Sequence, residues 1–276
     1  MQRRNDISPP IALSIAGHDP SSGAGVTADL QTFAAHRVFG VSAITALTVQ
    51  STLGVSAVET VSPRFLRQTL DTLEADLPAQ GIKIGMLGSA AIAAEVAAFL
   101  ADKPGIPTVL DPILRSSSGA ALLELEPEGL KATLEQLLPM VAWATPNWME
   151  LSALTGLPVA SLGQAEAAMH HLGRSYPHLT IVATGGDQAR PIDQLRLPGG
   201  EGHNGEVYLF AAERVETRAT HGTGCAFSSA LLCRLLHGDD PITAVRGAKE
   251  YVTEALRRAP EIGHGNGPLD LLWPLR

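Results

Sequence analysis

The chain has 276 residues, 45% apolar and 17% charged, with 20 Lys and Arg against 28 Asp and Glu for a formal charge of −8. This composition supports a large buried core and excludes a disordered chain. The negative balance argues against nucleic acid or an anionic membrane as the main partner, so a phosphorylated ligand needs a local device to hold it.

Residues 1–10 are polar and read as a tail without the apolar centre of a signal peptide. Ile11–Ala16 (IALSIA) reads as a short buried strand ending in the loop Gly17–Gly25, GHDPSSGAG. A helix follows with Leu30, Phe33, Ala34 and Val38 as its apolar positions. Strand, glycine-rich loop and helix in that order expose backbone amides at the carboxyl edge of a sheet. The loop is neither G-x-G-x-x-G nor a Gly-Lys-Ser/Thr phosphate loop, and a purely structural turn is the competing reading.

Val41–Val49 is a second strand closing on Gln50, whose amide would offer a donor and an acceptor to a heterocycle edge or simply cap backbone groups. Helical spacing covers Pro63–Leu77, and Gly81–Leu87 and Pro107–Leu114 read as strands, the second carrying Asp111. A helix is expected over 128–138. Asn147 and Glu150 then sit three apart at a strand-to-helix junction, either facing one cleft or with Glu150 matching the helix dipole. Leu179–Ala183 is the next strand, ending in Thr184-Gly185-Gly186. Arg190–Asn204, rich in Gly, Pro and charge, reads as a loop that closes over a ligand; 206–209 and 214–217 read as a hairpin or edge strands.

Thr220-His221-Gly222-Thr223-Gly224-Cys225 then opens an apolar helix. Its glycines let amide groups converge, and the helix end adds roughly half a positive charge, which together would make an anion site; a glycine-rich turn that merely precedes a core helix with a buried cysteine is the competing reading. A thiol at that end should ionise more easily than a free cysteine. Cys225 and Cys233 lie eight residues apart, about 12 Å along a helix, out of disulfide reach, which points to a reduced cytoplasmic protein. Pro241–Arg257 is a further helix, and 263–268 a glycine-rich loop. The nine histidines show no paired metal spacing, and His221 with Cys225 lacks the third orienting group of a hydrolase dyad. No run of about eighteen apolar residues suggests a membrane span. Alternating strands and helices give one doubly wound α/β domain over residues 11–276.

Six blocks, AGHDPSSGAGVTADLQT (16–32), ITALTVQST (44–52), IKIGML (82–87), VLDPIL (109–114), TPNWMEL (145–151) and THGTGCAFSSAL (220–231), resemble the hydroxymethylpyrimidine/phosphomethylpyrimidine kinases of thiamine biosynthesis, in the ribokinase-like superfamily. The resemblance runs from about Ile11 to Pro268. It implies a central, mostly parallel sheet with helices on both faces, a homodimer, and ATP- and Mg²⁺-dependent phosphorylation of 4-amino-5-hydroxymethyl-2-methylpyrimidine, then of its monophosphate. By the same resemblance Gln50 reads the aminopyrimidine, Gly17, Ala24 and Met86 line its pocket, and Asp19 belongs to the substrate loop. Gly222, Thr223 and Gly224 hold the transferring phosphate, with Thr184 and Gly186 on the ATP phosphates. Cys225 is the base, and Asn147, Glu150 and, through water, Asp111 order the metal.

Three departures reduce the positive charge around the cleft. Thr184 stands where the family has the lysine of Lys-Gly-Gly, Arg115–Ser118 replaces a lysine-bearing stretch, and His264 stands in the usual Gly-Lys-Gly. They imply a less favoured second phosphorylation. Pyridoxal or pyridoxine kinase activity is the alternative within the superfamily. A non-catalytic nucleotide- or vitamin-binding regulator is the alternative outside it.

Overall fold

The computed structural model describes residues 8–113, 133–186, 188–200 and 205–276. Its centre is built from strands buried on both faces, as short apolar runs without alternation require. β1 (Ile11–His18), β4 (Gly81–Ile84) and β7 (Thr180–Ala183) are of this kind. With β2 (Phe39–Ser51), β3 (Gly54–Thr60), β5 (Thr108–Leu110), β6 (Trp143–Ala144), β8 (Ile192–Arg196) and β9 (Val207–Ala211), they form one nine-stranded sheet in the order β3-β2-β1-β4-β5-β6-β7-β8-β9. The run from β2 to β7 is parallel; β3, β8 and β9 are antiparallel additions at the two ends.

Successive side chains of β1 point to opposite sides. Leu13 and Ile15 enter one apolar cluster and Ala12 the other. The first cluster is completed by α2 (Pro63–Asp76), α3 (Ala90–Ala101), α4 (Trp148–Thr155) and α5 (Leu162–Ser175), through Leu66, Leu70, Ile92, Val96, Leu151 and Met169. The second is completed by α1 (Gly25–Ala35), α6 (Thr223–Leu236) and α7 (Pro241–Arg257), through Phe33, Leu231, Val245 and Ala248. The α/β class and the helices on both faces agree with expectation.

Helix ends differ in one functional respect. Ser62, Ser89, Asn147, Ser161 and Asp240 cap α2, α3, α4, α5 and α7 through their side chains. The N-caps of α1 and α6, Ala24 and Gly222, make no such bond. Their N-cap residues therefore supply no side-chain acceptor to the first-turn amides.

Several expectations need correction. β2 runs beyond Val49 and turns into a hairpin with β3, and α3 was not anticipated. The expected strands at 81–87 and 107–114 are shorter, ending at Ile84 and Leu110. Arg190–Asn204 contains a strand, β8, rather than only a loop. Its sequence IDQLR hid it because the polar residues are buried with partners: Asp193 accepts from the Gly185 amide and pairs with Lys249, Gln194 donates to Leu162 O and Arg196 to Leu179 O. β9 covers the expected 206–209 segment, whereas 214–217 forms no strand. Of the helix expected over 128–138, residues through 132 lie outside the described residues; Leu138–Met140 is a 3₁₀ turn.

Candidate active site

The sequence-predicted residues fall in a row beyond the carboxyl ends of the parallel strands. In sheet order they are Gln50 on β2, Asp19 after β1, Met86 after β4, Asp111 after β5, Asn147 after β6 and Thr184 after β7. Four strand spacings separate β1 from β7, roughly 19 Å at about 4.8 Å each.

At the β1 end Asp19 organises the glycine-rich loop. One carboxylate oxygen accepts from the Ser21 amide (2.8 Å) and hydroxyl (2.7 Å), and the other from the amides of Gly23 (3.1 Å) and Ala24 (2.9 Å). The second oxygen also lies 2.7 Å from His221 Nε2. Burial raises the Asp19 pKa, but the bonds from His221 and Ser21 outweigh it and hold the carboxyl below its usual range. Gly17 backs onto Met86, whose Sδ would lie 3.0 Å from a Cβ at that position. Gln50 does not cap backbone: its amide contacts the Thr48 hydroxyl (3.2 Å) and His221 Nε2 (2.9 Å). The structure thus brings Gly17, Asp19, Ala24, Gln50 and Met86 together.

The turn at 220–225 packs directly on this loop. Gly222 has φ +84°, and a Cβ there would overlap the Gly23 carbonyl oxygen. A Cβ on Gly23 would in turn overlap the His221 ring. Cys225 is buried near the start of α6 and receives a hydrogen bond from the Gly25 backbone N–H at the start of α1, so two helix N-termini without side-chain caps meet at the thiol.

The expected easy ionisation is not what results. Burial pushes the Cys225 thiol up to about 12; nearby Lys83 and the Gly25 amide pull it down, while Asp29 and Asp111 add to the rise. Asp111 faces the same turn, accepting from the Ser228 hydroxyl at 3.3 Å with its carboxylate near Gly224. Burial raises its pKa to about 6, opposed by Lys83 and assisted by Asp29.

Beneath the turn lies a buried polar group that the sequence reading missed. Lys83 Nζ on β4 pairs with Asp29 of α1 at 3.0 Å, both side chains fully buried. Ser14 of β1 and Ser229 of α6 donate to the same carboxylate at 2.6 and 2.8 Å. Burial lowers the Lys83 pKa, but Asp29, Cys225 and Asp111 outweigh it and hold it above its usual value. A lysine between two isoleucines in GIKIGML was the available signal.

Further along the edge, Asn147 and Glu150 form a capping box. Asn147 Oδ1 accepts from the Glu150 amide at 2.9 Å, and Glu150 Oε2 accepts from the Asn147 amide at 2.8 Å. Glu150 is thus a first-turn residue matching the helix dipole, its carboxylate turned back onto the Asn147 amide. Thr184 bridges to Asn147 and its amide donates to Pro146 O, so Thr184 and Gly186 adjoin the Asn147 group. Among the described residues no group of three His, Cys, Asp or Glu is arranged to hold a metal. The carboxylates of Glu150 and Asp111 are the donors here that would hold a Mg²⁺ ion through water rather than directly. The 263–268 loop closes on the end of β2, with Asn266 N to Thr52 O at 2.8 Å, His264 N to Thr52 Oγ1 at 3.2 Å and the His221 amide on Gly267 O at 3.1 Å. Arg115–Ser118 lies outside the described residues, and no described helix is long and apolar enough to cross a membrane.

A family profile described as phosphomethylpyrimidine kinase matches residues 19–270. A hydroxymethylpyrimidine/phosphomethylpyrimidine kinase of Rhizobium meliloti is 39% identical over 266 residues, covering 94% of this chain and 96% of its own. Among solved structures, a phosphomethylpyrimidine kinase from Clostridium difficile is 31% identical with a TM-score of 0.76, covering 90% of this chain and 99% of that one. A pyridoxal kinase from Staphylococcus aureus, in complex with AMP-PCP and pyridoxal, is 26% identical with a TM-score of 0.82, covering 96% of this chain and 94% of that one.

Proposed function

The chain belongs to the phosphomethylpyrimidine kinase family, and on that premise we propose that it transfers the γ-phosphoryl group of ATP to 4-amino-5-hydroxymethyl-2-methylpyrimidine and then phosphorylates the monophosphate, in thiamine biosynthesis. The observation that supports this reading is a connected group beside the glycine turn: Met86 lies against Gly17, and His221, next to Gly222, bonds both Asp19 of the glycine-rich loop and the Gln50 amide.

In this reading the pyrimidine edge meets the Gln50 amide, and its hydroxymethyl oxygen points at the start of α6. Amides of Gly222, Thr223 and Gly224 face the oxygens of the transferring group, where negative charge develops. Thr184 and Gly186 lie toward the nucleotide end of the row. The acceptor oxygen forms the new P–O bond as the bond to the ADP oxygen breaks, and the hydroxyl proton leaves late. Cys225 receives it as thiolate. Because burial pushes that thiol up to about 12 and keeps it protonated near neutral pH, turnover by this route rises with pH. Mg²⁺, when bound, would supply charge neutralisation for the triphosphate, and Asn147, Glu150 and, through water, Asp111 would hold it.

The missing cleft lysines at Thr184 and His264 favour the first phosphorylation over the second. A homodimer is supported by the exposed apolar residues Leu47, Val49 and Leu53 of the β2–β3 hairpin, and a cytoplasmic setting by two free buried cysteines. A coupled assay with the pyrimidine alcohol, its monophosphate and pyridoxal tests the reading. The pyrimidine alcohol should give the highest kcat/KM; equal values for alcohol and monophosphate would remove the claim about the second step.

A further inference from the structure

We propose that His221 is a positioning and specificity-determining residue that fixes which way the Gln50 amide faces, and so makes the recess selective for a ring edge with an amino donor beside a ring acceptor. This rests on the reading of Gln50 as the group that meets the heterocycle.

The argument is one of donors and acceptors. His221 Nε2 has a single site for a proton or a lone pair, yet two groups lie within hydrogen-bond distance of it: Asp19 Oδ2 at 2.7 Å and the end of the Gln50 amide at 2.9 Å. An ionised carboxylate only accepts, and Asp19 already accepts from three amides and a hydroxyl. Nε2 must therefore carry the proton and donate to Asp19. An NH₂ group facing Nε2 would set donor against donor. A half-turn of the amide puts its oxygen there instead, sharing the Nε2 proton, and sends the NH₂ to the Thr48 oxygen 3.2 Å away. Thr48 suits this, since its own hydroxyl proton is committed to His18 O at 3.0 Å. The chain from Asp19 through His221 and Gln50 to Thr48 then has one consistent direction, set at the acid end.

The histidine itself is immobilised. Its amide donates to Gly267 O, and its ring fills the space that a side chain at Gly23 would take. A Gln50 held this way presents one remaining N–H and one remaining lone pair in a fixed order. A free Gln50 would turn to suit either order, and discrimination by hydrogen bonding depends on groups that do not turn. Recognition of the ring is thereby tied to the residue that immediately precedes the anion turn.

The test measures kcat/KM for the pyrimidine alcohol and for pyridoxal in wild type, His221→Leu, Gln50→Ala and the double variant, together with the KM for ATP. The proposal expects His221→Leu to lower the pyrimidine-to-pyridoxal ratio of kcat/KM at least tenfold, mainly through the pyrimidine KM. In the Gln50→Ala background the same change should alter the ratio less than threefold, since a residue acting through Gln50 cannot add to its loss. Additive losses, or a ratio unchanged by His221→Leu, would overturn it. Side-chain ¹⁵N spectra of the wild-type protein give an answer that does not depend on a variant folding: the proposal requires a proton on His221 Nε2, and a bare Nε2 contradicts it. Absence of pyrimidine phosphorylation in wild type would instead contradict the kinase reading, so the two failures are distinct.

Discussion

Cys225 is subject to opposing influences of unequal size. The start of α6 and the Gly25 amide favour a thiolate, but burial pushes the thiol up to about 12. A motif reveals the helix end; it does not reveal how much water reaches the sulfur, which is why the sequence pointed to the wrong direction of shift. If the thiolate accepts the hydroxyl proton, kcat should rise about tenfold per pH unit from pH 6.5 to 9.5, and Cys225→Ser should lower it by about 10²–10⁴-fold. A flat profile together with a fully active serine variant would remove the base assignment. Asp111 gives a second pH signature. Its folded pKa of about 6 lies above the ordinary value of 3.8, so its neutral form is the favoured one in the fold. The stability it contributes is complete at low pH and is lost as pH rises through about 6. Asp111→Asn should therefore stabilise the ligand-free, Mg²⁺-free protein by about 2–3 kcal/mol at pH 8 and by little at pH 4, as read from urea unfolding. Equal effects at both pH values would contradict the burial argument.

Among elements, the two helices without side-chain caps meet at Cys225 and frame the candidate site. Their placement depends on Asp29 of α1, which gathers Ser14 of β1, Lys83 of β4 and Ser229 of α6. Removing one member of a buried pair leaves a charge without compensation, so Lys83→Met should cost about 3–5 kcal/mol, whereas the double variant with Asp29→Asn should recover part of that loss. Thermal and urea unfolding of the four proteins check this, and additive losses would contradict it. Gly222→Ala should cost about 1–3 kcal/mol for its backbone conformation alone, and the overlap with Gly23 should raise the KM for ATP as well. An unchanged KM for ATP would argue that the turn does not meet the phosphates. The glycine turn, the Asp19 loop and the Asn147–Glu150 box were all legible because each places its residues within a few positions of one another. The Asp29–Lys83 group was not, since its members are 54 residues apart and each resembles an ordinary helix or strand position. β8 was hidden for a related reason: its buried polar residues bond to partners distant in sequence.

At the scale of the molecule, the parallel strands IALSIA, GIKI and LTIVA declared themselves by apolar runs and by the loops at their ends, which is enough to specify an α/β sheet and its functional edge. The β2–β3 hairpin extends the sheet past that edge, carrying exposed Leu47, Val49 and Leu53. The row of candidate site residues from Gln50 to Thr184 follows strand order, so the proposed ring-recognition and nucleotide ends lie at opposite ends of the row. The most direct measurement is ³¹P NMR of ATP and Mg²⁺ with equal concentrations of 4-amino-5-hydroxymethyl-2-methylpyrimidine and pyridoxal competing for the purified protein. The account predicts the pyrimidine monophosphate first, the pyrimidine pyrophosphate later, and little pyridoxal phosphate; dominant pyridoxal phosphate, or ATP left intact with both alcohols present, would contradict it.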